Sequence, residues 1–278
     1  MSSIENKIDF AVIFSVKNAN PNGDPLNGNR PRQTFYGLGE VSDVALKRKI
    51  RNRLQDMGEK IFVQSSEKSD DGCKSLNERF KKFQDTFDKN VKDNEDKVRA
   101  LINENWIDVR AFGQVFAFKG DSLSLGIRGP VTIQSAFSIS PVDITTMQIV
   151  KSVNSEDTGS SKKASDTMGS KHRVDEGIYV TYGAINPQLA EKTGFSMDDA
   201  DKVKAALQSL FQNDASSARP EGSMEVKKVI WWKHNSKSGQ YSSAQVHNSL
   251  KVNSDGSYDI TKLENLNYEE LDGAVKEK

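Results

Sequence analysis

The sequence predicts an α+β fold, because segments with strand character alternate with two amphipathic helices. Apolar runs rich in β-branched and aromatic residues occur at residues 8–16, 176–186 and 224–235. Residues 41–57 and 196–212 instead carry apolar side chains at helical spacing. The order strand, helix, strands, strand, helix, strand is close to the split β-α-β of a ferredoxin-like or RRM-like domain. That arrangement is an antiparallel sheet with helices on one face, and we expect the other face to be free for binding.

The composition is that of a globular protein without a charge bias, and residues 1–278 are predicted to form one domain with insertions. Lys and Arg together number 39, as do Asp and Glu, so only local charge can indicate a polyanionic partner. The single cysteine, Cys73, excludes an internal disulfide and a cysteine-rich zinc site. No apolar run approaches the roughly 18 residues of a membrane span. We therefore expect a soluble cytoplasmic protein with no membrane partner.

The first predicted strand leads into an asparagine-rich loop at residues 18–32, "NANPNGDPLNGNRPR", which three prolines stiffen. Its first oxygen-bearing side chains occupy alternate positions, as at the start of an EF-hand: Asn18, Asn20, Asn22 and Asp24. However, the twelfth position is Asn29, where calcium binding requires a bidentate Glu, and Pro21 interrupts the pattern. We therefore predict no metal in this loop.

The first helix is predicted at residues 41–57. Ser42 or Asp43 can cap its start, and Gly58 ends it. Five cations lie within seven of its residues: Lys47, Arg48, Lys49, Arg51 and Arg53. The pairs 47/51 and 49/53 are like-charged neighbours at i,i+4 and repel each other. This pattern favours a bound anion, with nucleic-acid phosphate as the best candidate, over a solvated helix face.

Two segments are predicted to extend from this body. Residues 59–105 are highly charged, with apolar residues at helical spacing, and indicate a helical insertion with a solvated face. Residues 108–118 then predict a strand. Residues 151–173 carry hardly an apolar side chain, so they project as an arm or stay disordered until a partner binds. Met168 in this arm is either a wedge between bases or an ordinary loop residue.

Support for catalysis is weak, and we predict no catalytic residue and no cofactor. The three histidines, His172, His234 and His247, lie far apart, without the spacing of metal ligands. Residues 37–42, "GLGEVS", lack the third glycine of a dinucleotide fingerprint. His172 remains a candidate for metal-free RNA cleavage, although a histidine in a basic loop more often contacts phosphate.

Six segments, in order along the chain, resemble the backbone subunit of type I CRISPR interference complexes (Cascade), a member of the RAMP superfamily. They are "VKNANPNGDPLNGNRPR", "SDVALKRKIRNRLQDMGE", "DVRAFGQVFAF", "GIRGPVTIQ", "MQIVKSVNSE" and "DTMGSKHRVDEGIYV". The opening motif is shared with subtype I-B, whereas "KRKIRNRLQDMGE" and "DVRAFGQVFAF" favour subtype I-C.

The resemblance implies an RRM-like palm, a helical finger insertion at residues 59–105 and a β-hairpin thumb at residues 151–176. It also implies a non-catalytic subunit whose copies polymerise along CRISPR RNA as a helical filament for antiviral defence. Each thumb displaces one base at regular intervals and leaves the bases between displayed for pairing with target DNA. The implied partners are CRISPR RNA, target DNA through that guide, copies of the chain, and the large, small and RNA-processing end subunits.

By motif position, the resemblance also implies RNA contacts in the palm and thumb. The palm contacts are Asn18, Asn20, Asn22, Arg30, Arg32, Lys47, Arg48, Lys49 and Arg51. The thumb contacts are Lys151, Ser152, Met168, Lys171 and His172.

Two other functions remain: a CRISPR-associated endoribonuclease of related fold that uses His172 or Asp24, and a monomeric single-stranded RNA-binding module. The acidic tail, residues 263–278, is expected on the side away from RNA.

Overall fold

A computed structural model describes residues 4–88, 91, 94–118, 124–150 and 168–273. The strands, in chain order, are β1 (Ile8–Ala19), β2 (Gly23–Asp24), β3 (Arg30–Pro31), β4 (Leu38–Val41), β5 (Gln114–Ala117), β6 (Ser124–Ile127), β7 (Val131–Ile133), β8 (Ala136–Pro141), β9 (Ile144–Val150), β10 (Met168–Ile185), β11 (Met224–Lys233), β12 (Leu250–Val252), β13 (Tyr258–Ile260) and β14 (Asn267–Asp272). The helices are α1 (Asp43–Asp56), α2 (Leu76–Gln84), α3 (Glu95–Asn105), α4 (Ile107–Phe112), α5 (Pro187–Thr193), α6 (Met197–Gln208) and α7 (Ser243–Asn248), and 3₁₀ turns lie at Pro25–Asn27 and Ser66–Lys68.

The main sheet is antiparallel and has the strand order β14-β11-β1-β10-β8-β4, with β7 and β9 also paired to β10. Strand β1 lies at its centre, between β10 and β11. Its residues from Ile8 to Phe14 are all buried, which explains the continuous apolar run, because both faces of the strand are covered. The predicted acidic tail contributes an edge strand, β14, which pairs with β11.

The two predicted helices are confirmed as α1 and α6, and both pack on one face of the sheet. Leu46 and Ile50 of α1 and Val203 of α6 join Phe10 and Phe14 of β1 in the main core. Each helix begins at a serine cap, as expected: the Ser42 side chain accepts from the N–H of Ala45, and Ser196 forms a capping box with Asp199. None of the described helices is long and apolar enough to cross a membrane.

The prediction that the second face of the sheet is free is wrong for the part around β1 and β11. Ala11, Ile13 and Trp232 point to that face and form a separate core with Val246 and Leu250. These last two residues belong to the C-terminal segment that carries α7 and β12. Burial of this much apolar surface closes the face, because the large side chain of Trp232 is only 1 % exposed.

A further core, here called the outer core, lies outside the main sheet and is built from the part of the chain between α1 and β7. Phe62, Phe80, Trp106 and Phe116 pack together there, so the aromatic residues of the predicted insertion point inward. The strand predicted at residues 108–118 is wrong in its first half, because Ile107–Phe112 is α4 and only Gln114–Ala117 is strand β5. Apolar residues of α4 pack into both the main core and the outer core. A helix that is buried on two sides lacks the helical spacing of apolar residues, so its sequence resembles that of a buried strand.

The predicted arm is partly a regular hairpin. Residues 168–174 of β10 pair with β9 from Met168↔Val150 to Val174↔Ile144. Of the two alternatives, a projecting arm or disorder, residues 168–173 therefore follow the first, because main-chain pairing requires no apolar side chains. Lys151 and Ser152 lie outside the described residues.

Candidate functional site

The asparagine-rich loop is a small hairpin. Strands β2 and β3 pair through Gly23↔Pro31 and Asp24↔Arg30, around the 3₁₀ turn Pro25–Asn27. Asp24 caps that turn by accepting a hydrogen bond from the N–H of Leu26 at 3.2 Å. Its carboxylate also lies 3.6 Å from the Arg32 guanidinium. Asp24 is therefore engaged in holding the hairpin.

Two of the predicted RNA-contacting amides have intramolecular partners. Asn20 is buried, and its Nδ2 donates to the backbone oxygen of Asn29 at 2.6 Å. The side-chain oxygen of Asn22 accepts from both the N–H and the hydroxyl of Ser42, at 2.9 and 2.8 Å. Asn18 is exposed and has a positive φ of 51°. Asn20 and Asn22 therefore shape the loop and attach it to α1.

The structure brings the loop into contact with the β9–β10 hairpin. Arg30 Nη1 donates to Thr146 Oγ1 at 2.9 Å, and the same oxygen lies 2.9 Å from His172 Nδ1. Thr146 and His172 face each other across the two strands. Lys171, which precedes His172 on β10, is exposed, and its side chain points to the other face of the hairpin. Arg30 and His172, which share the Thr146 hydroxyl, therefore lie together where the arm leaves the sheet, and we name this pair of basic side chains the arm-base cluster.

Two cations of α1 find acidic partners in distant segments. Lys49 is buried and forms an ion pair with Asp214, and burial lowers the pKa of its ammonium while Asp214 opposes this shift. Arg51 Nε lies 3.0 Å from Oδ2 of Asp108, a fully buried carboxylate. The prediction that repulsion within the pairs 47/51 and 49/53 calls for an external anion is wrong, because Asp108 and Asp214 neutralise one cation of each pair within the chain.

Lys47 and Arg48, the other two of the four predicted RNA contacts on this helix, differ in their surroundings. Lys47 forms an i,i+4 pair with Asp43 at 3.0 Å, and both side chains are partly exposed. Arg48 Nη1 donates to the backbone oxygen of Val63 at 2.6 Å. Within the described residues Arg48 forms no ion pair with a carboxylate, so its charge is the least compensated of the four.

The far end of the described arm is apolar. Met168 is 57 % exposed and pairs with Val150, which is 66 % exposed, and Ile149 lies beside them on β9. Gln148 Nε2 approaches the Met168 sulfur at 3.2 Å. The contacts predicted from the sequence include Met168 but not Ile149 and Val150. Their apolar character was a usable signal once the hairpin pairing was known.

The other two histidines belong to a buried polar network. His234 Nε2 lies 2.8 Å from Asp9, and its Nδ1 accepts from the N–H of Gln240. Burial opposes ionisation of Asp9, but hydrogen bonds from His234, Ser243 and Lys7 lower its pKa overall. Burial lowers the pKa of His247, whose Nε2 is 3.2 Å from the Gly183 oxygen. This network connects β1 to the C-terminal segment.

Neither a metal cluster nor a reactive thiol emerges from the part of the chain that the structure describes. No group of three or more His, Cys, Asp or Glu side chains there is arranged to hold a metal ion. Cys73, which the sequence places in a polar context, is buried, and burial raises the pKa of its thiol. A thiol with a raised pKa is a poor nucleophile at neutral pH.

Comparisons with known proteins identify a family. The model of the family described as CRISPR-associated protein Cas7 matches residues 6–272. A Haloferax volcanii protein of that same name is 25 % identical, over 94 % of this chain and 79 % of its own length. A chain of a CRISPR RNA-guided surveillance complex in a pre-nicking state has a TM-score of 0.48 at 17 % identity, covering 81 % of this chain and 75 % of that chain. A chain of another CRISPR RNA-guided surveillance complex has a TM-score of 0.45 at 17 % identity, covering 81 % and 68 %.

Proposed function

The chain belongs to the Cas7 family of CRISPR-associated proteins, and on that premise we propose that it is the non-catalytic RNA-binding backbone subunit of a type I-C Cascade complex. Copies of the chain line up along CRISPR RNA in the cytoplasm as a helical filament. They display the guide for pairing with target DNA, and the large, small and RNA-processing end subunits complete the complex. The observation that carries this proposal is the arm-base cluster, where Arg30 of the loop meets His172 of the arm through Thr146.

The proposed palm is RRM-like. The strand order β11-β1-β10-β8, with α1 after β1 and α6 before β11, supports this assignment. We assign the finger to the insertion at residues 59–105 and the thumb to residues 151–176. The outer core around Phe62 and Phe80 supports a separately packed finger, and the β9–β10 pairing supports a hairpin thumb.

The predicted RNA contacts divide into two groups by their surroundings. We assign direct contact to side chains that reach the surface: Asn18, Arg30, Arg32, Lys47, Arg48, Met168, Lys171 and His172. Asn20 and Lys49 are buried. Asn22 and Arg51 hold the Ser42 cap and the buried Asp108 carboxylate. We assign these four residues to positioning the loop and helix. Lys151 and Ser152 remain assigned to the thumb by motif position alone.

The chemistry of this surface suits recognition of backbone rather than sequence. Arginine, lysine and histidine bind phosphate oxygens through charge-assisted hydrogen bonds, which carry no base information. Exposed Met168, Ile149 and Val150 at the arm end are apolar side chains of the kind that separate stacked bases. Sequence specificity then comes from base pairing of the guide with its target.

The test is to purify the chain with its native RNA and map nuclease protection along that RNA. We expect intact RNA, protection at a regular interval, and particles by electron microscopy that contain many copies. Cleavage of added RNA that disappears in His172→Ala or Asp24→Ala would instead establish the endoribonuclease. A particle with one copy per RNA, at every RNA length, would establish the monomeric module.

A further inference from the structure

Two aromatic residues occupy the corner of the turn between β3 and β4. The turn is closed by the N–H of Gly37, which donates to the oxygen of Thr34 at 3.0 Å. Gly37 has a φ of +77°, a left-handed conformation that glycine adopts without strain. Phe35 and Tyr36 are the two central residues, so the backbone of the turn holds both rings at its tip.

The two rings are exposed to solvent. Phe35 is 97 % exposed and Tyr36 is 79 % exposed. Their centroids are 5.4 Å apart with an interplanar angle of 83°, an edge-to-face contact between neighbours. Scattered apolar residues are normal on protein surfaces, but two adjacent aromatic rings at a rigid tip leave a large π surface without a packing role.

The turn is attached to the base of the arm. Gln33 Nε2 donates to the backbone oxygen of Val142 at 2.8 Å, and the N–H of Val142 donates to the oxygen of Gly37 at 3.0 Å. Val142 lies two residues before the first residue of β9, Ile144. Arg30, at the start of the strand that leads to the turn, contacts β9 at Thr146. The aromatic tip and the arm-base cluster therefore both adjoin the start of the arm.

We propose that Phe35 and Tyr36 form a stacking platform for unpaired bases of the single-stranded RNA whose phosphates contact the arm-base cluster. This inference rests on the proposed function and adds a base contact to it. A cationic track with adjacent exposed aromatic rings is how proteins hold single strands without sequence preference, because every base has a π face. The anchored turn fixes the backbone beneath the rings, and each ring has only two side-chain torsions to order on binding, so the entropy cost is small.

The test uses the full-length chain and short single-stranded RNAs that carry 2-aminopurine at successive positions. We expect binding of the wild type to quench the fluorescence at one or two positions. Phe35→Ala with Tyr36→Ala abolishes that quenching and weakens binding at least about fivefold. Thr34 and Gly37 keep the turn closed in this variant. The matched control is Leu26→Ala, which removes a 98 % exposed apolar side chain from the neighbouring hairpin and leaves both readouts unchanged.

A second pair of variants separates ring stacking from simple apolar contact. Phe35→Trp with Tyr36→Phe retains the quenching, whereas Phe35→Leu with Tyr36→Leu loses it. If wild type binds RNA and the double alanine variant binds and quenches equally, the platform is overturned while the proposed function stands. If the variant binds short RNA normally but forms smaller particles on long RNA, the rings contact a second copy and the platform is overturned. Absence of RNA binding by wild type would overturn both proposals.

Discussion

The side-chain oxygen of Asn22 accepts two hydrogen bonds from Ser42, one from its N–H at 2.9 Å and one from its hydroxyl at 2.8 Å. That hydroxyl in turn accepts from the N–H of Ala45 at 3.3 Å and caps α1. An amide of the loop therefore orients the cap of the basic helix. The loop and the helix, which the sequence presents as two separate RNA-contacting motifs, are one structural unit.

We expect Asn22→Ala to lower the free energy of unfolding by about 1–2 kcal/mol, because the cap loses its support and two donors lose their acceptor. Urea unfolding followed by circular dichroism measures this change. Asn27→Ala, at an exposed amide in the same hairpin, serves as the control and is expected to change stability by under about 0.5 kcal/mol. Equal losses in the two variants would contradict the role of Asn22.

Asp108→Ala is expected to destabilise the protein by about 3–5 kcal/mol, because it leaves the Arg51 charge without its partner in a buried site. Oδ1 of Asp108 also accepts from the N–H of Phe62 at 2.8 Å, so the carboxylate joins α1 to the outer core. A double-mutant cycle with Arg51→Ala measures the coupling. The exposed pair of Lys47 and Asp43 is the control, with a coupling of about 0.5 kcal/mol or less. Additive losses for Arg51 and Asp108 would show that they do not interact.

Gly39→Ala is expected to lower stability by about 1–3 kcal/mol, because its Cβ would lie 2.1 Å from the hydroxyl oxygen of Tyr179. The tyrosine ring is fully buried and stacks on Phe14 at 5.4 Å, so it has no room to move. Thermal unfolding measures the loss. Gly126→Ala is the matched control, since its Cβ would meet no atom within 4 Å. A similar change in melting temperature for both variants would refute the steric explanation.

Stability should depend on pH through Asp199. Burial alone would raise the pKa of this carboxyl, but hydrogen bonds from Arg110 and Ser196 hold it below its ordinary value of 3.8. Since the pKa is lowered in the folded state, the stabilisation is complete above that value and is lost as the pH falls through the folded pKa.

We therefore expect Asp199→Asn to be less stable than wild type at pH 7, with a difference that shrinks as the pH falls below about 4. Urea unfolding between pH 3 and pH 7 measures this trend. Asp201→Asn removes a carboxylate that is 57 % exposed on the same helix, and we expect a difference under about 0.5 kcal/mol. A constant deficit for Asp199→Asn at all pH values would exclude ionisation as its cause.

Arg30→Ala is expected to weaken RNA binding about tenfold and to reduce the slope of log affinity against log salt by about 1, because one phosphate contact is lost. Fluorescence anisotropy at several salt concentrations provides both values. Arg99→Ala is the control: this arginine lies on α3 and is paired with Glu95 at 2.9 Å. A loss of affinity with Arg99→Ala as large as that with Arg30→Ala would argue against a specific role for Arg30.

Much of the fold was predictable because its signals are local. The serine cap, the apolar spacing of Leu46, Ile50 and Leu54, and the apolar run of β1 each depend on neighbours within a few residues. Helix α4 was mistaken for a strand because burial on two sides removes the helical periodicity. The C-terminal segment that covers the second face of the sheet was missed because its apolar residues are sparse and no short motif marks them.

By itself the sequence determined the α+β class, the two capped helices, the asparagine-rich loop and the resemblance to a family that the comparisons then identified. Only the tertiary structure decided the partners of the charged side chains. Lys49 meets Asp214 and Arg30 meets Thr146, over separations of 165 and 116 residues. A charge in a sequence shows no such partner, because its energy depends on which distant groups the folded chain brings within a few ångströms and how far they are from water.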